Sequence, residues 1–198
     1  MMSLSHPLSL SPSPSPSLHS HSEFRLGEDM YAQDSIDLLR VSGIDFARHE
    51  AEGVDVLRFG ELLMTSGVVL NPDVRWVTFA ASYDFGYLLK VLTCSPLPPT
   101  EADFFDLLKL YFPSFFDIKY LMKFCGALHG GLSRLAEQLC VERIGPQHQA
   151  GSDSLLTASS FIKLVRTYFA EESDLDPHQG ILYGLGSDGT ADVRDADG

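Results

Sequence analysis

The run Arg75-Trp76-Val77-Thr78-Phe79-Ala80, followed closely by Tyr83-Asp84-Phe85-Gly86-Tyr87, decides the fold. Its first part is β-branched and aromatic, which suits a short strand. From Phe85 onward, Phe85, Leu88, Leu89 and Leu92 fall at i, i+3, i+4 and i+7, the spacing that lines one face of a helix. Strand, turn and helix are therefore adjacent, and Asp84 stands at their junction.

Downstream the same logic repeats. Thr100 with Asp103 reads as a capping box with aspartate in place of glutamate, and Phe104, Leu107, Leu108 and Tyr111 form the next helical stripe. Phe115 to Ile118 reads as a second strand and Lys119 to Phe124 as a helix. Leu132, Leu135, Ala136 and Leu139 mark another helix, and the apolar run Ser154 to Phe169 marks the last. Strand, helix, helix, strand, then helices predicts an α/β domain with parallel pairing, because a helical crossover brings the second strand back in the same direction. The stripes are core and carry no chemistry of their own.

Upstream, Glu28-Asp29 puts negative charge at the start of a helix through Arg40, stopped by Gly43. Ile44 to Glu52 reads as a short charged helix, and the run Val54 to Ser66 ends at Gly67. Phe24 to Leu26 has the look of a strand remnant. Residues 1–22 are dominated by Ser, Pro, His and Leu, with serine and proline alternating from Ser11 to Ser17, and predict a solvated, polyproline-like tail. Residues 187–198 carry Asp188, Asp192, Asp195 and Asp197 but lack the order and the closing glutamate of a calcium loop, and predict an acidic tail. The folded domain expected between the tails is 23–186.

The chain has 198 residues, 44% of them hydrophobic, enough for one domain with a substantial core. Its formal charge of -13 argues against a basic groove that holds nucleic acid through phosphate contacts alone. A metal-dependent nuclease escapes that exclusion, because carboxylates that repel phosphate can hold the cation that binds it. Cys94, Cys125 and Cys140 show no C-x-x-C spacing, so buried free thiols are expected rather than a zinc site or a disulfide framework. The opening segment has neither the basic start and apolar stretch of a secretory signal nor the arginines of a transit peptide, and no membrane span is expected.

One further stretch invites chemistry. His148-Gln149-Ala150-Gly151-Ser152-Asp153 leads from a glycine-containing turn into the last helix, so an imidazole and a carboxylate lie beside a helix N-terminus. Asp153 either caps that helix, with His148 on a solvated turn, or the two belong to a site.

These segments also carry a family resemblance. Glu28-Asp29-Met30-Tyr31-Ala32-Gln33-Asp34-Ser35, Tyr83-Asp84-Phe85-Gly86-Tyr87, Gly130-Gly131-Leu132, the run Gly145 to Thr157 around Gln147-His148-Gln149, and Leu182-Tyr183-Gly184-Leu185-Gly186 occur in one order. Together they resemble the carbon-catabolite-repressor-associated factor family, the DEDD-type poly(A) ribonuclease subunit of the CCR-NOT deadenylase complex, over roughly Phe24 to Gly186. The resemblance implies a ribonuclease-H-like mixed sheet flanked by helices, and removal of poly(A) from the RNA 3' end with release of AMP. It implies two divalent cations, Mg2+ or Mn2+, with Asp84 and Asp153 as metal ligands and His148 as the base that orients or deprotonates the attacking water. It further implies the complex's scaffold and leucine-rich-repeat nuclease subunits as partners, no DNA and no membrane, and residence in nucleus and cytoplasm.

The sequence departs from the family pattern in one respect that matters. The family's first motif, an Asp-x-Glu on an early strand, would precede Glu28-Asp29, and no Asp-x-Glu occurs before Phe24. Glu50-Ala51-Glu52 matches a charged helical stretch and does not replace it. Ala80-Ala81-Ser82 stands where the family tends to have His-Ser-Gly. An N-terminally truncated sheet with an exposed edge is therefore expected. Three functions follow: a poly(A)-specific exoribonuclease, a catalytically impaired paralogue that serves as an interaction module, or an unrelated acidic α/β binding domain.

Overall fold

A computed structural model describes residues 26–27 and 31–186. The two expected tails, Phe24 of the expected strand remnant, and Glu28-Asp29 lie outside the described residues, and Leu26-Gly27 forms a turn. The first described helix, α1 (Gln33–Val41), ends before Gly43 at φ 89°, a left-handed turn that favours glycine. Next come α2 (Phe46–Glu52) and α3 (Val56–Thr65), capped by the side chains of Asp45 and Asp55.

Strand β1 (Arg75–Thr78) leads through Ala81 into α4 (Ser82–Thr93), and α5 (Glu101–Tyr111) follows, with Thr100 as N-cap. The Thr100 hydroxyl accepts from the Asp103 N–H at 3.2 Å and donates to the Asp103 carboxylate at 2.6 Å. Strand β2 (Ser114–Asp117) starts and ends one residue before the sequence reading, because Asp117 caps the short helix α6 (Ile118–Leu121) through the Lys119 N–H. The expected helix over Lys119 to Phe124 is split into α6 and a 3-10 turn at Met122–Phe124. Helix α7 (Leu132–Gln138) and the long α8 (Ala150–Tyr168) follow, and a 3-10 helix at Glu172–His178 comes after them among the described residues.

The α/β class expected from the sequence is what the chain adopts. Among the described residues, however, the sheet is two parallel strands rather than a mixed sheet, with Trp76 opposite Phe115 and Val77 opposite Phe116. Side chains alternate across a strand, so Phe115 and Phe116 serve opposite faces. Phe115 joins Phe85, Leu89, Leu108 and Phe112 from α4, α5 and the following turn. Phe116 joins Ile118, Leu121, Leu135 and Leu164 from α6, α7 and α8. Each face of this narrow sheet is thus buried under helices, as a parallel pair requires.

Asp117 is fully buried at the end of β2. Its Oδ1 accepts from the Ala80 N–H at 2.8 Å and the Lys119 N–H at 3.0 Å, and its Oδ2 from the Tyr183 N–H at 3.2 Å. One carboxylate therefore joins the exit of β1, the start of α6 and the C-terminal segment. That segment runs beside β2, where the Gly180 N–H donates to the Phe115 carbonyl and Leu182 is fully buried.

Only one of the three thiols is buried as expected. Cys125 is enclosed, and burial pushes its thiol up to about 11. Cys94 and Cys140 are exposed because they lie in the left-handed turns that end α4 and follow α7. Among the described residues no helix is long and apolar enough to cross a membrane.

Candidate active site

Asp84 and the distant pair His148 and Asp153 line one open cavity of about 840 Å³. Strand β1 forms part of its wall through Trp76, Val77 and Thr78. Asp84 reaches it from the first turn of α4, where its side chain is exposed. The turn into α4 passes through Ala80 at φ 54°, a left-handed conformation that is costly for a residue with a Cβ. The Ala80 N–H bond to buried Asp117 helps to hold the strand-to-helix corner that presents Asp84.

His148 and Asp153 come from the other side, on the turn into α8. His148 is exposed and held at φ 60°, and Gly145 opens the same turn at φ 89°. Gln149 is the backbone N-cap of α8, and its side-chain amide donates to the Ser42 carbonyl at 3.0 Å, anchoring the turn to the end of α1. Asp153 therefore does not cap the helix. It sits one turn in, with its carboxylate turned to a cation.

That cation is Arg143. Its Nη1 donates to Asp153 Oδ1 at 2.6 Å and to Ser152 Oγ at 3.1 Å, and its Nη2 donates to Ser133 Oγ at 3.2 Å. Gln147 Nε2 donates to the same Ser133 hydroxyl at 2.8 Å, so the network spans α7, the connecting loop and α8. Arg143 escaped the sequence reading because it is an isolated arginine in a loop, with its partner ten residues on across the turn. Nothing in its local pattern signals the pair.

The donor chemistry suits a hard divalent cation. Two carboxylates can hold Mg2+ or Mn2+ that keeps several waters and takes further oxygen ligands from a substrate phosphate. Asp84 and Asp153 are the described residues that could do so, with His148 on the same cavity wall. Among the described residues no group of three or more His, Cys, Asp or Glu side chains gathers to hold a metal ion, so these residues do not form an all-protein cage. The cavity also carries Arg134 and Arg143 against the two aspartates. Its charge is locally balanced although the whole chain stands at -13.

A smaller cavity of about 450 Å³ lies on another face of α4, between Tyr83, Tyr87, Leu97 and Phe104. It holds Lys90 and Glu101 but neither histidine nor aspartate, and offers no comparable chemistry.

No protein-family model matches the chain. The probable CCR4-associated factor 1 homolog 10 of Arabidopsis thaliana is 59% identical over 169 residues, covering 85% of this chain and 60% of that protein. Poly(A) ribonuclease pop2 of Schizosaccharomyces pombe is 48% identical over 168 residues, covering 84% of this chain and 50% of that protein. Among solved structures, S. pombe Pop2p in its Mg2+ and Mn2+ bound form superposes with a TM-score of 0.79 at 48% identity, covering 83% of this chain and 65% of that one. A structure of the yeast NOT1 MIF4G domain co-crystallised with CAF1 is matched with a TM-score of 0.67 at 30% identity, covering 82% of this chain and 64% of the other. The chain thus spans half to three fifths of the length of these curated relatives. At these identities, along nearly all of the described fold, the chain belongs to the CCR4-associated factor 1 and Pop2 family.

Proposed function

We propose that this chain is a poly(A)-specific 3'-to-5' exoribonuclease that depends on divalent metal, releases AMP, and works within the CCR4-NOT complex in nucleus and cytoplasm. The observation that carries this reading is the meeting of Asp84, His148 and Asp153 on one cavity. Relatives named poly(A) ribonuclease, a metal-bound Pop2p and a CAF1 crystallised with NOT1 support it. On this reading the NOT1-type scaffold and a leucine-rich-repeat nuclease are its partners.

Asp84 and Asp153 would hold the cations. When bound, the cations lower the pKa of water and offset the charge that builds on the leaving oxygen. His148 takes the proton of the water that attacks the last phosphodiester, the P–O bond to the upstream nucleotide breaks, and the leaving oxygen takes a proton from solvent to become the new 3'-hydroxyl of the shortened strand. Two aspartates facing one cavity repel by about 4 kcal/mol at 4 Å and an effective dielectric near 20, so opposite charge is needed between them.

The test is shortening of a 5'-labelled RNA with an oligo(A) tail by the purified chain. Shortening is expected with Mg2+ or Mn2+, stops with EDTA, and falls by about 10²-fold or more in Asp84→Ala and Asp153→Ala. No shortening under any metal condition would overturn the reading.

A second reading, a catalytically impaired paralogue acting as an interaction module, is favoured by two observations. Asp153 is already paired with Arg143, and no group of three or more ligating side chains forms among the described residues. It predicts no shortening but retained binding to a NOT1 MIF4G domain.

A further inference from the structure

The Arg143–Asp153 pair differs from the other ion pairs described. Arg40–Asp37, Arg48–Glu52, Arg58–Glu61 and Arg134–Glu137 each run along one helix and keep half or more of their side-chain surface in water. Such exposed pairs are screened and contribute little. Arg143 and Asp153 join a loop to α8, and their side chains are 18% and 35% exposed. Their 2.6 Å contact is short even for a charge-assisted hydrogen bond.

The pair also lines the cavity, so both partners face whatever enters it. The charged or titratable groups there are Asp84, Arg134, Arg143, His148 and Asp153. Arg134 is tied to Glu137 on its own helix. Arg143 is bound to the one residue that a metal-dependent reaction would require to let go. A planar guanidinium matches a phosphate as well as it matches a carboxylate, and can exchange one for the other without moving its backbone. Its contacts to Ser133 and Ser152 keep it at the cavity wall during that exchange.

We propose that Arg143 is the phosphate-binding group of this site, held in reserve by Asp153, and that it turns to the backbone of a single-stranded polynucleotide when Asp153 is released. This rests on reading the cavity as a polynucleotide site. In a chain of charge -13, Asp153 cancels the field of Arg143 until an opposing charge takes its place, so substrate and cation favour each other's binding.

Binding of a fluorescein-labelled oligoadenylate of about ten nucleotides, followed by anisotropy in EDTA, tests the proposal without any turnover. In EDTA Asp153 keeps Arg143 in reserve, so Arg143→Ala alone should change affinity by less than about twofold, whereas in the Asp153→Asn background it should weaken binding several-fold and lower the slope of log K against log salt by about 0.7, with Arg143→Lys in that background keeping part of the affinity. Asp153→Asn should tighten binding several-fold by freeing Arg143. In the double variant Arg143→Ala with Asp153→Asn that gain should vanish. Were the gain to persist without Arg143, it would reflect general charge removal and the proposal would fall. Thermal melts of each variant separate lost binding from lost fold, and the lysine variant keeps the test alive if the alanine variant unfolds. Failure of every variant to bind the oligoadenylate would overturn the polynucleotide reading itself; binding that ignores residue 143 in the Asp153→Asn background would overturn only the role given to Arg143.

Discussion

Asp117 shows how much one side chain can determine. Burial pushes its carboxyl above the ordinary 3.8, while the N–H groups of Ala80, Tyr183 and Lys119 pull the other way. Removing it as Asp117→Ala leaves those buried donors without an acceptor, and at about 1 to 3 kcal/mol each the loss should be at least about 3 kcal/mol, read as a fall in the urea midpoint. Because its folded pKa is raised, the stability it contributes is complete below 3.8 and is lost as pH rises through the folded value. His148 offers a contrasting case. At φ 60° it sits where glycine is at ease, so His148→Gly should leave stability within about 1 kcal/mol while RNA shortening drops by about 10² to 10⁴-fold. The place of His148 on the turn into α8 was legible because it stood in a motif beside a helix start. Asp117 and Arg143 were not, since neither a lone acid after Phe115-Phe116 nor a lone arginine in a loop has a local pattern that names its partners.

At the scale of elements, Gly60 marks a close approach. A Cβ there would meet the Val91 carbonyl oxygen at 3.1 Å and Val91 Cγ1 at 3.2 Å, so α3 lies almost against α4. Gly to Ala inside a helix ordinarily stabilises by about 1 kcal/mol, but here the contact with fixed backbone should reverse the sign. Gly60→Ala should lose about 1 to 3 kcal/mol, measured by thermal melting. Thr100→Ala should cost about 1 kcal/mol by removing the α5 cap. Helices were the best-read elements, because Phe85, Leu89 and Leu92, and Phe104 and Leu108, are buried on the faces their spacing assigned. Ends were read less well. The strand read at Phe115 to Ile118 lies one residue off, since side-chain periodicity does not reveal that Asp117 stops the strand by capping the next helix.

For the whole molecule, acid should be more damaging than mild alkali near neutrality. His178 packs its ring against Phe124 at 4.2 Å, with Tyr120 and Phe169 each at 5.9 Å, and its Nδ1 is buried without a hydrogen bond. Burial lowers its pKa from the ordinary 6.5, so the unfolded chain takes up the proton first and stability declines as pH falls below 6.5. The urea midpoint should drop between pH 7 and about 5.5, and His178→Phe should flatten that decline. The domain's α/β order was visible in the alternation of strand and helix signals. The tying of its C-terminal segment to the sheet was not, because it depends on pairings such as Tyr183 with Asp117, 66 residues apart. That pairing bears on synthesis: a chain leaving the ribosome has β1, β2 and most of the described helices in hand, yet Asp117 stays short of a donor until nearly the last described residues emerge. Arrest of translation just before Leu182 should therefore yield a nascent product open to protease and dependent on chaperones, whereas a few residues more should let it close.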